Sequence, residues 1–252
     1  MKTLPENYQA APKNLDGKII VVTGAGAGIG RTVAITCAKH GATVVLLGRT
    51  TQKLEMVYDE IEAAGGPQPA IYPINFEGAC EKDYADMAQA LFDEFGKIDA
   101  LLHNAADLGE RTPITNYAAD TWSRVMQVNV NAPFMLTKSL LPVMEKADRG
   151  AIIFTGSSVG YEGRAFWGAY AASKAANENM MQTLAQELDG TTSIRVNSVN
   201  PGATRTQMRA TAYPAENPQN VKSADTLMPL YLYLLSDDSA AVTGEQFSHK
   251  AD

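Results

Sequence analysis

The feature that most restricts this chain is a rhythm of seven short apolar runs, at residues 18–23, 42–48, 70–75, 98–103, 150–156, 193–200 and 242–247, each bounded by turn residues. Between most of them lie stretches with helical periodicity, at 28–40, 52–64, 82–95 and 121–146. A strand that is apolar on both faces must be covered on both, and strands that alternate with helices pair in parallel. The pattern predicts an α/β fold: a doubly wound parallel sheet of about seven strands with helices on both faces. The run 18–23 is expected at its centre, with a cleft at the C-terminal ends of the strands.

Residues 1–17 are polar with two prolines and read as a flexible lead-in packed on the surface; residues 18–252 read as one domain. Pro133 falls inside the 121–146 pattern, where it must kink the helix or mark its start. Residues 202–225 carry Pro214 and Pro218 and no clear period, which reads as a lid or binding loop. The net charge of -7 argues against nucleic acid or an anionic membrane as partner. No apolar run reaches the length of a transmembrane helix, and the start lacks the apolar segment of a signal peptide. Cys37 and Cys80 fall in helical stretches without metal-ligand spacing, so no metal is expected, and the two read as reduced thiols of a cytoplasmic protein.

The first strand runs directly into Thr23-Gly24-Ala25-Gly26-Ala27-Gly28-Ile29-Gly30, and an amphipathic helix follows. Glycines let the turn close and let backbone N–H groups approach a pyrophosphate at the positive end of the helix. Gly24, Gly26, Gly28, Ile29 and Gly30 are therefore candidate cofactor residues in a Rossmann-type βαβ unit. The second strand ends in Gly48-Arg49-Thr50, with no carboxylate for the ribose hydroxyls. Arg49 offers a planar fork suited to a 2′-phosphate, with Thr50 as a second donor, against the plainer reading of a solvated loop arginine.

Tyr170 and Lys174 stand four residues apart in a helix-like stretch, about one turn apart on one face. A phenol is a poor base near neutrality, and a neighbouring positive charge favours the phenolate. Such a pair alone is common on helix surfaces, but here Ser157 lies thirteen residues upstream at the end of the fifth strand. That serine is positioned to donate to a substrate oxygen as negative charge grows on it. Tyr170 would then be the acid or base at that oxygen.

These motifs, with His103-Asn104-Ala105-Ala106 after the fourth strand, Asn129 in Val128-Asn129-Val130-Asn131, and Asn200-Pro201-Gly202, occur in the order and spacing of the short-chain dehydrogenase/reductase family. The chain resembles that family throughout its length after the lead-in, and the runs around Asn129, Tyr170 and Pro201 resemble a bacterial subgroup of it. The resemblance implies an oxidoreductase that moves a hydride between a nicotinamide and a carbonyl or alcohol carbon, with NADP(H) preferred and NAD(H) possible. It implies Asn129, Ser157, Tyr170 and Lys174 as the catalytic set, with Lys174 on the nicotinamide ribose and Asn129 fixing a water that links Lys174 to solvent. It further places Asn75 at the adenine, Asn104 beside the adenosine ribose, and Pro201, Gly202, Thr204 and Thr206 over the nicotinamide and pyrophosphate. Asn75 stands where the family often has aspartate. His103 is expected to be structural.

Substrate contacts are expected from residues 107–115, 159–168 and 203–225, which hold Arg111, Tyr161, Arg164, Phe166, Trp167, Arg205, Arg209 and Tyr213. That mixture suits a polar or anionic carbonyl compound with a flat apolar part. A homodimer or homotetramer is expected through the alanine-rich helix that carries Tyr170. The competing readings are a dinucleotide-binding sensor or scaffold without turnover, which needs no proton donor, and an epimerase or dehydratase, which needs a larger substrate region.

Overall fold

The computed structural model describes residues 1–249. Strands β1 (Ile19–Thr23), β2 (Thr43–Gly48), β3 (Ala70–Pro73), β4 (Ala100–His103), β5 (Gly150–Thr155), β6 (Ile194–Asn200) and β7 (Gln246–Ser248) form one sheet in the order β3-β2-β1-β4-β5-β6-β7. Every neighbouring pair is parallel, as Val22 shows by pairing with Leu46 on one side and Leu102 on the other. The seven apolar runs supply the seven strands. The last starts later than expected, at Gln246, because the preceding residues turn through Gly244 at φ 72.

Alternation along the strands divides the interior into two layers that share the sheet. Ile20, Val22, Val44, Leu46 and Leu102 face one side, where α1 (Gly28–Lys39), α2 (Thr51–Ala63) and α8 (Met228–Leu235) cover them. Val21, Val45, Leu47, Leu101 and Phe154 face the other, beneath α3 (Glu81–Phe95), α5 (Ala132–Met144) and α6 (Gly168–Leu188). A fully buried leucine or isoleucine contributes about 1.5–3 kcal/mol, so these two layers hold the sheet rigid under the loops at its end.

Four expectations need amendment. The 121–146 pattern is not one regular α-helix: α4 (Ala119–Met126) passes into a π-helical turn, Gln127–Asn131, and then into α5 with no break in the helical backbone, and Pro133, which has no N–H, leaves the Asn129 carbonyl four residues back to accept instead from the Asn177 amide at 2.8 Å. The 202–225 loop holds a short helix, α7 (Gln207–Ala212), and buries Ala212, Val221 and Ala224. Cys37 is buried within α1, whereas Cys80 is exposed and sits just before α3 as its cap. The lead-in is anchored: Leu15 is fully buried, Tyr8 donates to Asp238 at 2.6 Å, and Lys2 bridges to the edge of β7. Among the described residues no helix is long and apolar enough to cross a membrane.

Candidate active site

From β1 the chain order runs outward in both directions, to β2 and β3 one way and to β4 through β7 the other. Loops leaving β1 and β4 therefore diverge and leave a crevice at the strand C-termini. Thr23, the last residue of β1, holds its two banks together. Its hydroxyl donates to the Leu102 carbonyl at 3.1 Å and accepts from the backbone N–H groups of Asn104 and Ala105, both at 2.9 Å. The Asn104 side-chain amide donates to the Thr23 carbonyl at 3.2 Å, so Asn104 serves this junction as well as lining the crevice.

The glycines of the loop are not equivalent. A Cβ on Gly26 would lie 2.9 Å from Cβ of Lys53, and Gly28 turns through φ 54 beside the Thr206 methyl. Gly30 does something else: a Cβ there would meet the Gly24 carbonyl oxygen at 2.4 Å. Gly30 is buried and absent from the crevice lining, and its lack of a side chain lets α1 pack under the loop. Gly24, Gly28 and Ile29 line the crevice itself.

The crevice has two adjoining parts. One, of about 410 Å³, is bounded by Gly26, Arg49, Thr50, Lys53, Asn75 and Glu77. Thr50 precedes the first turn of α2 without a capping hydrogen bond from its side chain, that turn carries no acidic residue, and neither Arg49 nor Lys53 forms an ion pair among the described residues. Two cations at a helix N-terminus make an anion site. Asn75 is on the rim, its side-chain Oδ1 accepting from the Glu77 N–H at 3.3 Å. The other part, of about 490 Å³, is lined by Ser157, Tyr170, Lys174, Pro201, Gly202, Thr204 and Thr206 among others. Thr206 caps α7, its hydroxyl accepting from Arg209 N at 3.1 Å, and Thr204 donates to the carbonyls of Pro201 and Gly202 at 3.3 Å.

Tyr170 and Lys174 share a face of α6, with the ammonium 5.5 Å from the phenol ring centre and donating to the Thr155 carbonyl at 2.7 Å. Without the nicotinamide charge beside it, burial pushes the Tyr170 phenol up to about 12. Burial equally pushes Lys174 down to about 8, opposed by the Glu178 carboxylate one turn further on. The reason is desolvation, which disfavours charge on both groups. His103 is buried and pushed down to about 3 by burial and by Lys174; its Nε2 bonds the Thr137 hydroxyl at 2.8 Å, which fits the structural role expected of it.

Asn129 lies in the π-helical turn with its side chain fully engaged. Its Oδ1 accepts from Asp107 N at 2.7 Å, and its Nδ2 donates to the Asp107 carbonyl and to the Ser173 hydroxyl, both at 2.9 Å. Ser173 in turn donates to the Tyr170 carbonyl at 2.8 Å. Asn129 thus ties the loop after β4 to the turn of α6 that bears the tyrosine.

Of the four arginines expected to face substrate, two are already spent. Arg209 is bidentate to Glu216 at 2.7 and 2.6 Å, and Arg111 donates to the Ala212 carbonyl. Arg205 does not line the crevice, which leaves Arg164. The substrate end is more aromatic than cationic.

Residues 18–217 match the short chain dehydrogenase family. The chain belongs to that family. The uncharacterized oxidoreductase YciK of Escherichia coli K12 is 48% identical over 241 residues, 96% of this chain and 95% of the relative. A short chain dehydrogenase structure from Pseudomonas syringae, 50% identical, superposes with a TM-score of 0.95 over 97% of this chain and 99% of its own. Another, from Escherichia coli CFT073 and complexed with NADPH, is 47% identical, with a TM-score of 0.93 over 96% and 100%.

Three residues of this dehydrogenase escape a reading of its sequence. Lys53 joins Arg49 only because α2 brings it back over the loop. Asn177 and Glu178 follow Lys174 by three and four positions, and that helical spacing is the one signal in the sequence that points to them. The Asn177 amide donates to the Asn129 carbonyl at 2.8 Å and keeps its own oxygen buried without a protein partner. Glu178 is buried and accepts from the Tyr161 and Ser198 hydroxyls, both at 2.7 Å.

Proposed function

We propose that this short-chain dehydrogenase reduces a small carbonyl compound with NADPH, and that Tyr170 is its proton donor. The observation that carries the reading is that one crevice, at the point where strand order reverses, has the Arg49–Lys53 anion site at one end and Ser157, Tyr170 and Lys174 at the other. The residues fit a dinucleotide phosphate: Gly24, Gly28 and Ile29 line the crevice without bulky side chains at the loop, and Arg49 and Lys53, which form no ion pair among the described residues, match a 2′-phosphate. Gly24, Gly26, Gly28 and Ile29 would hold the pyrophosphate, Arg49, Thr50 and Lys53 the 2′-phosphate, Asn75 and Asn104 the adenosine. Pro201, Gly202, Thr204 and Thr206 would cover the nicotinamide. The structure of the relative from Escherichia coli CFT073, which is complexed with NADPH, supports that assignment. When bound, NADPH supplies the hydride.

The chain's own groups supply the rest. Ser157 donates a hydrogen bond to the carbonyl oxygen, and Tyr170 delivers its proton there as negative charge develops. A phenol held at about 12 keeps its proton through the neutral range, so Tyr170 is present in its acid form when a carbonyl compound arrives. Lys174, at about 8, is mainly an ammonium at pH 7 and would hold the ribose hydroxyls. The unpaired Asn177 oxygen next to the Asn129 carbonyl is an acceptor for the water that would return a proton to Lys174.

The partly exposed alanines of α6, Ala171, Ala172, Ala175 and Ala176, support a homodimer or homotetramer, and the two unbridged cysteines suit the cytoplasm. The test is a carbonyl screen with NADPH, followed by loss of its absorbance. Tyr170→Phe is expected to bind NADPH normally and to lose about 10²–10⁴ in turnover. Undiminished turnover would refute the mechanism, and NADPH binding with no turnover on any carbonyl would favour a sensor.

A further inference from the structure

We propose that Arg111 shapes the substrate end of the crevice: its guanidinium clasps Trp167 and Tyr213 into one aromatic wall, matched to a carbonyl compound with a flat apolar body. The inference rests on the oxidoreductase reading of this site. Three segments distant in sequence meet here: the loop after β4 brings Arg111, the residue before α6 brings Trp167, and the residue after α7 brings Tyr213. The Arg111 guanidinium carbon lies 4.7 Å from the centre of each ring, and the two rings are 6.0 Å apart. Its fork also donates to the Ala212 carbonyl, fixing the backbone at the end of α7. Arg209 covers Tyr213 at 3.7 Å while Glu216 holds it bidentately, so the tyrosine has a cation packed on it from its own loop as well.

The wall adjoins the reacting centre, because Trp167 is also 5.6 Å from the Tyr170 ring and both line the crevice. Trp167 reaches this place through the turn at Phe166, whose φ of 72 lies in the left-handed region that a bulky residue adopts only at a cost. Met208, Leu108 and Val159 continue the apolar lining, and no carboxylate belongs to it. A flat apolar body stacks on such a wall, and a site that is preformed by the protein's own cation–π contacts need not be ordered by the substrate. Arg111 is therefore a positioning residue: it acts on substrate through the two rings. It is itself exposed, so replacing it does not open the core.

The test compares the native enzyme with Arg111→Met and Arg111→Lys. Amide hydrogen exchange along residues 207–213 reports the clasp directly, and NADPH-dependent reduction of benzaldehyde against hexanal reports the wall. In Arg111→Met, exchange at 207–213 is expected to rise at least tenfold, with amides of β1 and β4 unchanged. The benzaldehyde-to-hexanal ratio of kcat/KM should fall at least fivefold, mainly through KM, and Arg111→Lys should lie between. A merely structural arginine would lower Tm and leave that ratio unmoved. Unchanged exchange at 207–213, or an unchanged ratio, overturns the role of Arg111. A native enzyme for which benzaldehyde is not the better substrate overturns the substrate class. The exchange measurement needs no turnover, so the clasp stands or falls separately from the oxidoreductase reading.

Discussion

Glu178→Gln should move the pH profile of the enzyme while leaving every group that touches substrate in place. Glu178 is buried one turn from Lys174 on the same helix, and its negative charge is the influence that keeps the lysine from falling further. Side chains at that spacing are about 6 Å apart, and at an effective dielectric of about 20 two unit charges there interact by nearly 3 kcal/mol. That corresponds to about two pKa units; because the amide retains a dipole, a drop of one to two units is the expectation. Lys174 would then fall from about 8 to roughly 6–7, passing from mainly charged to largely neutral at pH 7. His103 cannot compensate, since at about 3 it carries no charge near neutrality.

The sign follows directly: activity that needs the Lys174 ammonium is lost as pH rises through its pKa, so the alkaline limb moves to lower pH. The assay is kcat/KM for NADPH between pH 5 and 9 on the best substrate of the screen. The variant should bind NADPH weakly at pH 7.5 and recover at pH 6. An alkaline limb at the native position, in a variant of native Tm, would refute the coupling. Loss of charge also weakens the bonds from Tyr161 and Ser198, at a cost of about 1–3 kcal/mol in stability, which Tm reads independently.

Arg49→Asp should weaken NADPH binding about tenfold to hundredfold, through loss of a charge-assisted contact of about 1.5–3 kcal/mol, and should barely alter NADH binding. Equal affinity of the native enzyme for both cofactors would contradict the assignment. Gly30→Ala should force α1 away from the Gly24 carbonyl, costing about 1–3 kcal/mol and lowering Tm by roughly 3–10 °C, as calorimetry would show. Light scattering should find a dimer or tetramer at micromolar concentration; a monomer would count against the α6 interface.

The sheet was legible because its strands are apolar on both faces, a pattern that few other folds need. Ser157, Tyr170 and Lys174 were legible because their spacing follows from one strand end and one helix face. α8 went unread for the opposite reason: residues 228–235 are apolar on all sides, so they have no amphipathic period to detect. Arg111 looked like a substrate contact because nothing in sequence reveals that its guanidinium is already stacked on Trp167 and Tyr213. The burial that raises the Tyr170 phenol is not legible in the sequence, because charge proximity shows in a four-residue spacing whereas desolvation depends on everything packed around the ring.

The π-helical turn at Gln127–Asn131 makes the segment between α4 and α5 unusually sensitive to chain length. A π turn accommodates a surplus residue relative to α geometry, and each residue of an α-helix accounts for about 100° of rotation. Deleting one residue there would let the two helices fuse smoothly while swinging one of them by about that angle. Asn129 would then turn away from Asp107 and Ser173, or Pro133 and Leu136 would leave their buried side. The segment can thus exchange side chains far more readily than it can lose a position. In a library of single-residue deletions, residues 127–131 and the helices on either side should be inactive where exposed loops elsewhere are tolerant.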